Sequence, residues 1–232
     1  MSKDVFFVRH GETDWNKLGL PQGSKNDIPL NSNGKTQSKK TGNYLDENQT
    51  KFGSFDLILS SPMKRAYETA TIIADELNYH DKIIINKNLI EVDSGLISIG
   101  KKSDELKKDP FYDDFFEFID QHTNIDIIEK NILTGIEMPD VFINKYKMES
   151  NKSCNKRAKK IIKYLKKKDF KRAIIVSHNE TINNLNKKIL NSLDTIKGNM
   201  TNGKNCHITH YKILNKKFQL ICAPNTLHLG KK

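Results

Sequence analysis

Three short apolar runs do most to constrain this chain. Val5–Val8, Phe55–Leu59 and Ala173–Val176 are too short for helices, and apolar residues, many β-branched or aromatic, dominate them. Each reads as a buried strand. Segments with helical spacing lie between them. A loop rich in Gly, Pro, Asn and Asp spans 19–34, and a helix fits Lys35 to about Glu47. A second helix fits Met63 to about Asn78, with Ala66, Thr69, Ala70 and Ile73 on one face. Pro62 suits its first turn, and the preceding serine, Ser61, can cap it. Ile83–Ile85 is a further short strand. Ser150 caps a helix from about Asn151 to Lys168, whose apolar stripe includes Ala158, Ile161, Ile162 and Leu165. A last helix fits Glu180 to Leu190, and two antiparallel strands, near His207–Leu214 and Phe218–Ala223, follow. This alternation predicts an α/β fold: a three-layer α/β/α sandwich around a mostly parallel sheet. Residues 96–148 do not alternate cleanly with strands and are expected to form a helical lid insertion in a single domain, 1–232. One of its helices, Phe111 to Gln121, carries Phe111, Phe115, Phe116 and Phe118 as core or lid packing.

The chain carries a net charge of +11, unevenly spread. Residues 104–149 hold twelve Asp/Glu against five Lys/Arg, a net −7, whereas 150–191 hold thirteen Lys/Arg against two Asp/Glu, a net +11. The basic block reads either as a nucleic-acid or membrane surface or as a lysine-rich helix with a solvated face. The second reading is favoured, because the lysines lack interleaved aromatics and an arginine-rich character. No specific nucleic-acid partner is therefore expected. No apolar run approaches the ~18 residues of a membrane helix, and Met1–Asp4 has no signal-peptide character. Cys154, Cys206 and Cys222 show no paired spacing, which points to a reducing, cytoplasmic setting without disulfides or a zinc site. The oligomeric state is not readable from the sequence.

The chemistry lies at the strand ends. Val5–Val8 runs into Arg9-His10-Gly11, and Ala173–Ser177 runs into His178. The helix after Phe55–Leu59 carries Arg65 one turn inside its start, and Glu91 follows Ile83–Ile85. A lone Arg-His pair is ordinary surface decoration. His178 alone reads as a core histidine held by a neighbour, and Glu91 alone as a surface carboxylate. Recurrence changes this, because sites in open α/β sheets form at the carboxyl ends of strands. If the strands are parallel neighbours, Arg9, His10, Arg65 and His178 converge. Two arginines match phosphate oxygens with forked donors. A neutral imidazole can attack phosphorus and hold the phosphoryl group. A second histidine, if protonated, can stabilise equatorial oxygens, and a carboxyl group can protonate the leaving oxygen and then activate water. This chemistry requires no metal and no cofactor.

At these residues the chain resembles the histidine phosphatase superfamily, also called phosphoglycerate mutase-like. Arg9-His10-Gly11-Glu12-Thr13 matches the signature of that family, and the similarity continues through Trp15-Asn16, Gln22-Gly23, Asp27-x-Pro29-Leu30 and Asn33-Gly34. Ser60 to Ala70 matches the second motif, Glu149-Ser150 with Arg157 the start of a long helix, and Val176-Ser177-His178 the second catalytic histidine. Asn225 to Leu229 is similar to the family's C-terminal tail. The resemblance implies that His10 is the phosphorylated nucleophile. It implies that Arg9, Arg65 and His178 form a phosphate pocket and that Glu91 is the proton donor. Asn16, Gln22 and Gly23 would contact the phosphoryl group or a small phosphorylated substrate, and Glu12 and Thr13 would organise the loop. Asn179 stands where the family usually has glycine, which narrows the backbone approach to phosphate and makes Asn179 an expected substrate contact. After Glu91 the chain reads Val92-Asp93-Ser94-Gly95, similar to phosphatases of the fructose-2,6-bisphosphatase branch rather than to the glycolytic mutases. The resemblance thus implies phosphomonoester hydrolysis, with phosphoglycerate mutase as the alternative. A non-catalytic binding module using the basic face is a further alternative, disfavoured because such a module needs no attacking imidazole and proton donor together.

Overall fold

The computed structural model describes residues 2–98, 140–190 and 203–230, with Lys108, Pro110 and Asp113 as isolated positions. Alternating side chains on its central strands divide the core in two. Strand β1 (Lys3–Arg9) sends Val5 and Phe7 to one face of the sheet and Phe6 and Val8 to the other. The same alternation runs along β2 (Leu57–Ser60) and β4 (Arg172–Ser177). On the first face, Ala158, Ile161 and Leu165 of α5 (Asn151–Lys167) and Ile182, Leu185 and Ile189 of α6 (Asn179–Leu190) complete the core. On the second, Leu45 of α2 (Ser32–Phe52) and Ala66, Ala70 and Ile73 of α3 (Lys64–Glu76) do so. Two helical layers therefore enclose one sheet, as the alternation of elements predicts.

The six-stranded sheet has the order β3-β2-β4-β1-β5-β6. Strands β1 to β4, including the two-residue edge strand β3 (Ile84–Ile85), run parallel. Strands β5 (Ile208–Leu214) and β6 (Lys217–Asn225) run antiparallel beside β1. The decisive pairing is β1 with β4, where Arg9 stands opposite Ser177. The two strands end level, so His10 and His178 emerge side by side.

Two helix starts differ from the sequence reading. Helix α2 begins at Ser32, three residues early, because Asn31 Oδ1 accepts the Gly34 N–H at 2.8 Å and caps it. Helix α3 begins at Lys64, and its N-cap residue, Met63, makes no side-chain cap bond. Ser61 Oγ accepts the Met63 N–H at 3.3 Å but lies 2.8 Å from His178 Nε2. The first free amide of the helix, on Lys64, is met instead by Asp27 Oδ1 at 2.7 Å. A carboxylate at that end also suits the helix dipole.

Both flanks of the expected lid are tied down beside the segment that carries Glu91. The 3-10 turn Gly95–Ser98 leaves on one side, and the short helix α4 (Asp140–Tyr146) returns on the other. Gly95 has φ 61°, and a Cβ there would lie 2.0 Å from the Tyr146 carbonyl oxygen, so only glycine permits this approach. The Glu149 N–H donates to the Asp93 carbonyl at 2.8 Å. The helix expected over 111–121, with its phenylalanines, lies outside the described residues.

Candidate active site

The loop after β1 begins as a tight crossing. A Cβ on Gly11 would lie 2.5 Å from the Gly34 carbonyl oxygen, and one on Gly34 would lie 2.0 Å from that of Glu12. The Glu12 N–H donates to Gln37 Oε1 and its carboxylate accepts from Asn31, while Thr13 and Asn16 form a reciprocal cap on the one-turn helix α1 (Asp14–Lys17). Glu12 and Thr13 thus organise the loop, as the sequence suggests. The Gly11 N–H donates to Thr69 Oγ1 on α3 at 2.9 Å.

This framework holds His10, which is 2% exposed. Its Nδ1 lies 2.7 Å from the Gly11 carbonyl oxygen, which can only accept, so Nδ1 carries the proton. The Nε2 lone pair is thereby left for other use, and it accepts the Arg65 Nε–H at 3.3 Å. Arg65 is itself buried and anchored: its terminal nitrogens donate to the Asn26 and Gly23 carbonyls, each at 2.9 Å. Burial pulls Arg65 down to about 10, against the raising influence of Glu91 and Asp27, so the guanidinium stays charged at neutral pH. Arg9 donates to the Gly203 carbonyl, and its buried Nε has no partner.

His178 is fully buried, and its ring centre lies 5.2 Å from that of His10. Its Nε2 pairs with Ser61, and its buried Nδ1 has no partner. Burial, then the Arg65 charge, holds both imidazoles well below the ordinary histidine value, with Arg9 adding to the effect. At pH 7 the site is therefore two permanent cations beside two neutral imidazoles. Its unfilled donors and positive field suit a phosphoryl dianion.

Glu91 belongs to the same electrostatic group, since its charge acts on both Arg9 and Arg65. Oε1 accepts from the N–H groups of Val92 at 2.8 Å and Thr181 at 3.2 Å, the latter in the first turn of α6. The backbone around it is gripped by Arg157 of α5, which donates to the Asn88 carbonyl at 2.9 Å and the Ile90 carbonyl at 2.8 Å. Arg157 in turn forms a two-pronged pair with Glu149 at 2.8 and 2.7 Å.

Of the other expected contact residues, Gln22 is buried with an unpartnered Oε1, and Asn179, at the start of α6, has an unpartnered Oδ1. Each is an acceptor that a donor on a ligand could satisfy. Asn16 and Gly23 also serve the framework: Asn16 Oδ1 accepts from Thr13 and from Asn205 Nδ2 at 3.1 Å, and the Gly23 carbonyl holds Arg65. Sequence reasoning missed Ser61 as the partner of His178, Thr69, Asn205 and His207. His207 is 1% exposed beside Arg9, and its Nε2 is unpartnered. It stands next to a strand end like His10 and His178, a signal the sequence carries. Asn205 has no such signal. Among the described residues, no three His, Cys, Asp or Glu side chains are grouped so as to hold a metal ion.

The buried neutral histidines set a pH dependence. Burial, then Arg9, pushes His207 down to about 3, against ~6.5 in an unfolded chain. Its contribution to stability is complete above pH ~6.5 and is lost as pH falls, because the unfolded state then binds the proton and the folded state does not. His10 and His178 act in the same direction. Between pH 7 and 5, His207 alone costs about 2 kcal/mol. The urea midpoint is expected to drop clearly over that interval, and an unchanged or higher midpoint at pH 5 would contradict the neutral buried site.

Known proteins resemble this chain in sequence and in fold. The chain is 50% identical over 74 residues to the uncharacterized phosphatase PhoE of Bacillus subtilis (strain 168), a stretch covering 32% of this chain and 35% of that protein. It is 33% identical over 117 residues to phosphoserine phosphatase 1 of Hydrogenobacter thermophilus, covering 50% of this chain and 51% of that protein. The chain thus spans about half or less of the length of these curated relatives. A phosphoserine phosphatase mutant from Entamoeba histolytica, solved in complex with phosphoserine, superposes with a TM-score of 0.69 at 25% identity, covering 98% of this chain and 99% of that one. A phosphoglycerate mutase from Bacillus anthracis shares the fold at a TM-score of 0.75 and 18% identity, covering 98% of this chain and 95% of that one. The family model described as histidine phosphatase superfamily (branch 1) matches residues 5–226, and the chain belongs to that superfamily.

Proposed function

We propose that this protein hydrolyses small phosphomonoesters through a phosphohistidine on His10. The observation that carries the reading is the His10 tautomer: with Nδ1–H given to the Gly11 carbonyl, the Nε2 lone pair is the nucleophile, held against Arg65. Nε2 forms the P–N bond as the ester P–O bond breaks with its electron pair, and the leaving oxygen takes the proton of Glu91. Arg9, Arg65 and His178 hold the phosphoryl oxygens, and the positive field strengthens as charge spreads over them. Water then attacks phosphorus and gives its proton to the Glu91 carboxylate, and the P–N electron pair returns to Nε2. Gln22 and Asn179 are ligand contacts. Asn16 and Gly23 also contact the phosphoryl group or substrate, while the Gly23 carbonyl holds Arg65.

Relatives named as phosphatases support hydrolysis, as does the Glu91-Val92-Asp93-Ser94-Gly95 segment. We read 1–232 as one domain whose specificity resides in the lid, 96–148. No helix among the described residues is long and apolar enough to cross a membrane, and the three cysteines are free, so we place the protein in the cytoplasm.

A panel of phosphorylated metabolites assayed for phosphate release, with 3-phosphoglycerate mutase activity measured in parallel, tests the activity. Release without phosphoryl return to a sugar acid is expected; dominant isomerisation would make the enzyme a mutase. Glu91→Gln refines the test. It is expected to slow an alkyl phosphate about 100-fold and p-nitrophenyl phosphate far less, because the aryl oxygen leaves without protonation. Equal losses on both substrates would move the acid role elsewhere, with Asp93 the next candidate.

A further inference from the structure

A lysine-lined cleft stands apart from the candidate active site. Lysines 159, 163, 166 and 167 fall on one face of α5 at spacings of four, seven and eight residues. Lys188, in the last turn of α6, and Lys216, in the two-residue turn between β5 and β6, face the same cleft. These six lysines line a cavity of about 770 Å³ with Ile162 and Ile189, and no carboxylate is among its described lining residues. Asn215 and Lys216 both have positive φ, so a tight turn fixes where Lys216 sits.

The plainest reading of lysines at helix C-termini is that they neutralise the helix dipole. Here that work is already done for α5. The Lys3 ammonium, reaching across from β1, donates to the carbonyls of Leu165, Lys166 and Lys168 at 3.4, 3.3 and 2.6 Å. None of the six cleft lysines forms an ion pair with a described residue. Six like charges converge from three elements on one concavity without a counter-charge among the described residues. A solvated helix face, the reading favoured from the sequence, requires neither the concavity nor the contributions of Lys188 and Lys216.

We infer that this cleft binds a small polyphosphorylated molecule. Its volume is that of a small-ligand site. It lacks the aromatic platforms and arginines of nucleic-acid grooves. On α6 it is reached at Lys188, toward the far end from His178 and roughly 15 Å away along that helix. That exceeds the ~8 Å screening length at physiological ionic strength, so the cleft is a binding site in its own right and not an extension of the catalytic field.

The test is calorimetric titration of the whole protein with inorganic tripolyphosphate at 150 mM salt, with excess orthophosphate occupying the catalytic pocket. One equivalent is expected to bind. Changing Lys159, Lys163, Lys167 and Lys188 together to Gln should weaken it at least tenfold, with p-nitrophenyl phosphate turnover unchanged. The same four changed to Arg should retain binding. Equal binding by the Gln variant, or no binding of tripolyphosphate at this salt, overturns the proposal. Anionic phosphoinositide vesicles and a single-stranded RNA oligonucleotide form parallel arms. Binding of either more tightly than tripolyphosphate, lost in the Gln variant, would also overturn it, assigning the lysines to a membrane or RNA surface. Because turnover is read separately, failure here leaves the phosphatase reading standing, and failure of that reading leaves the cleft standing.

Discussion

His10→Ala abolishes both phosphoenzyme formation and turnover. In the wild type, brief reaction with a labelled phosphomonoester followed by quenching is expected to leave an acid-labile, base-stable label on His10, the behaviour of a phosphoryl group on imidazole nitrogen. The substitution removes the imidazole Nε2 that accepts from Arg65 and carries the attacking lone pair, and with it the covalent route. A loss on the order of 10³-fold or more in kcat is expected, because no neighbouring group replaces a nucleophile. The effect should be chemical rather than structural. His10 contributes one side-chain hydrogen bond to its own loop, whereas the crossing of Gly11, Gly34 and Glu12 holds that loop independently. The variant is therefore expected to melt cooperatively and still bind orthophosphate. Undiminished phosphate release would sink the phosphohistidine mechanism.

The second large effect is expected at Arg65. Its side chain does three things at once: it donates to His10 Nε2, fastens the 22–26 loop through Gly23 and Asn26, and supplies charge to the pocket. Arg65→Gln is expected to cost about 10² to 10³ in kcat/KM, the usual loss when a charge-stabilising donor is removed from a buried site. Arg65→Lys should recover little, since one ammonium cannot reach two carbonyls and a phosphoryl group in the geometry of a planar fork. The comparison separates charge from geometry: near-complete rescue by lysine would mean that Arg65 contributes charge alone and that its anchoring to the loop is incidental. Arg157 makes a useful contrast. It touches the backbone just before Glu91, at the Asn88 and Ile90 carbonyls, so its influence on the reaction runs through the acid's position and not through the phosphoryl group.

Much of this site is legible in the amino-acid sequence. Strand residues alternate and helix residues recur at three and four, so each element announces itself over a handful of neighbouring positions. The ends of β1 and β4 carried Arg9, His10 and His178 in plain view, and the turn into α3 carried Arg65. What local pattern could not carry was the order of the strands. Only the pairing of β1 with β4, residues about 170 apart in sequence, makes neighbours of His10 and His178. The cap of α3 illustrates the same limit. The sequence offers Ser61, but burial beside His178 claims its hydroxyl, and Asp27 from a distant loop caps the helix instead.

The chain by itself determined the layers, the direction of most strands and the chemical identity of the pocket, because those follow from short-range periodicity and from which side chains terminate each strand. Tertiary structure decided the rest. It set the His10 tautomer, through a single carbonyl, and the grip of Arg157 on the Glu91 segment. It buried His207, and it drew Lys188 and Lys216 to a lysine face that the sequence presents as one helix. The physical reason is common to all of these. A buried polar atom must find its partner, or go without one, among whatever the packed chain brings within about 3 Å, and sequence distance says nothing about that.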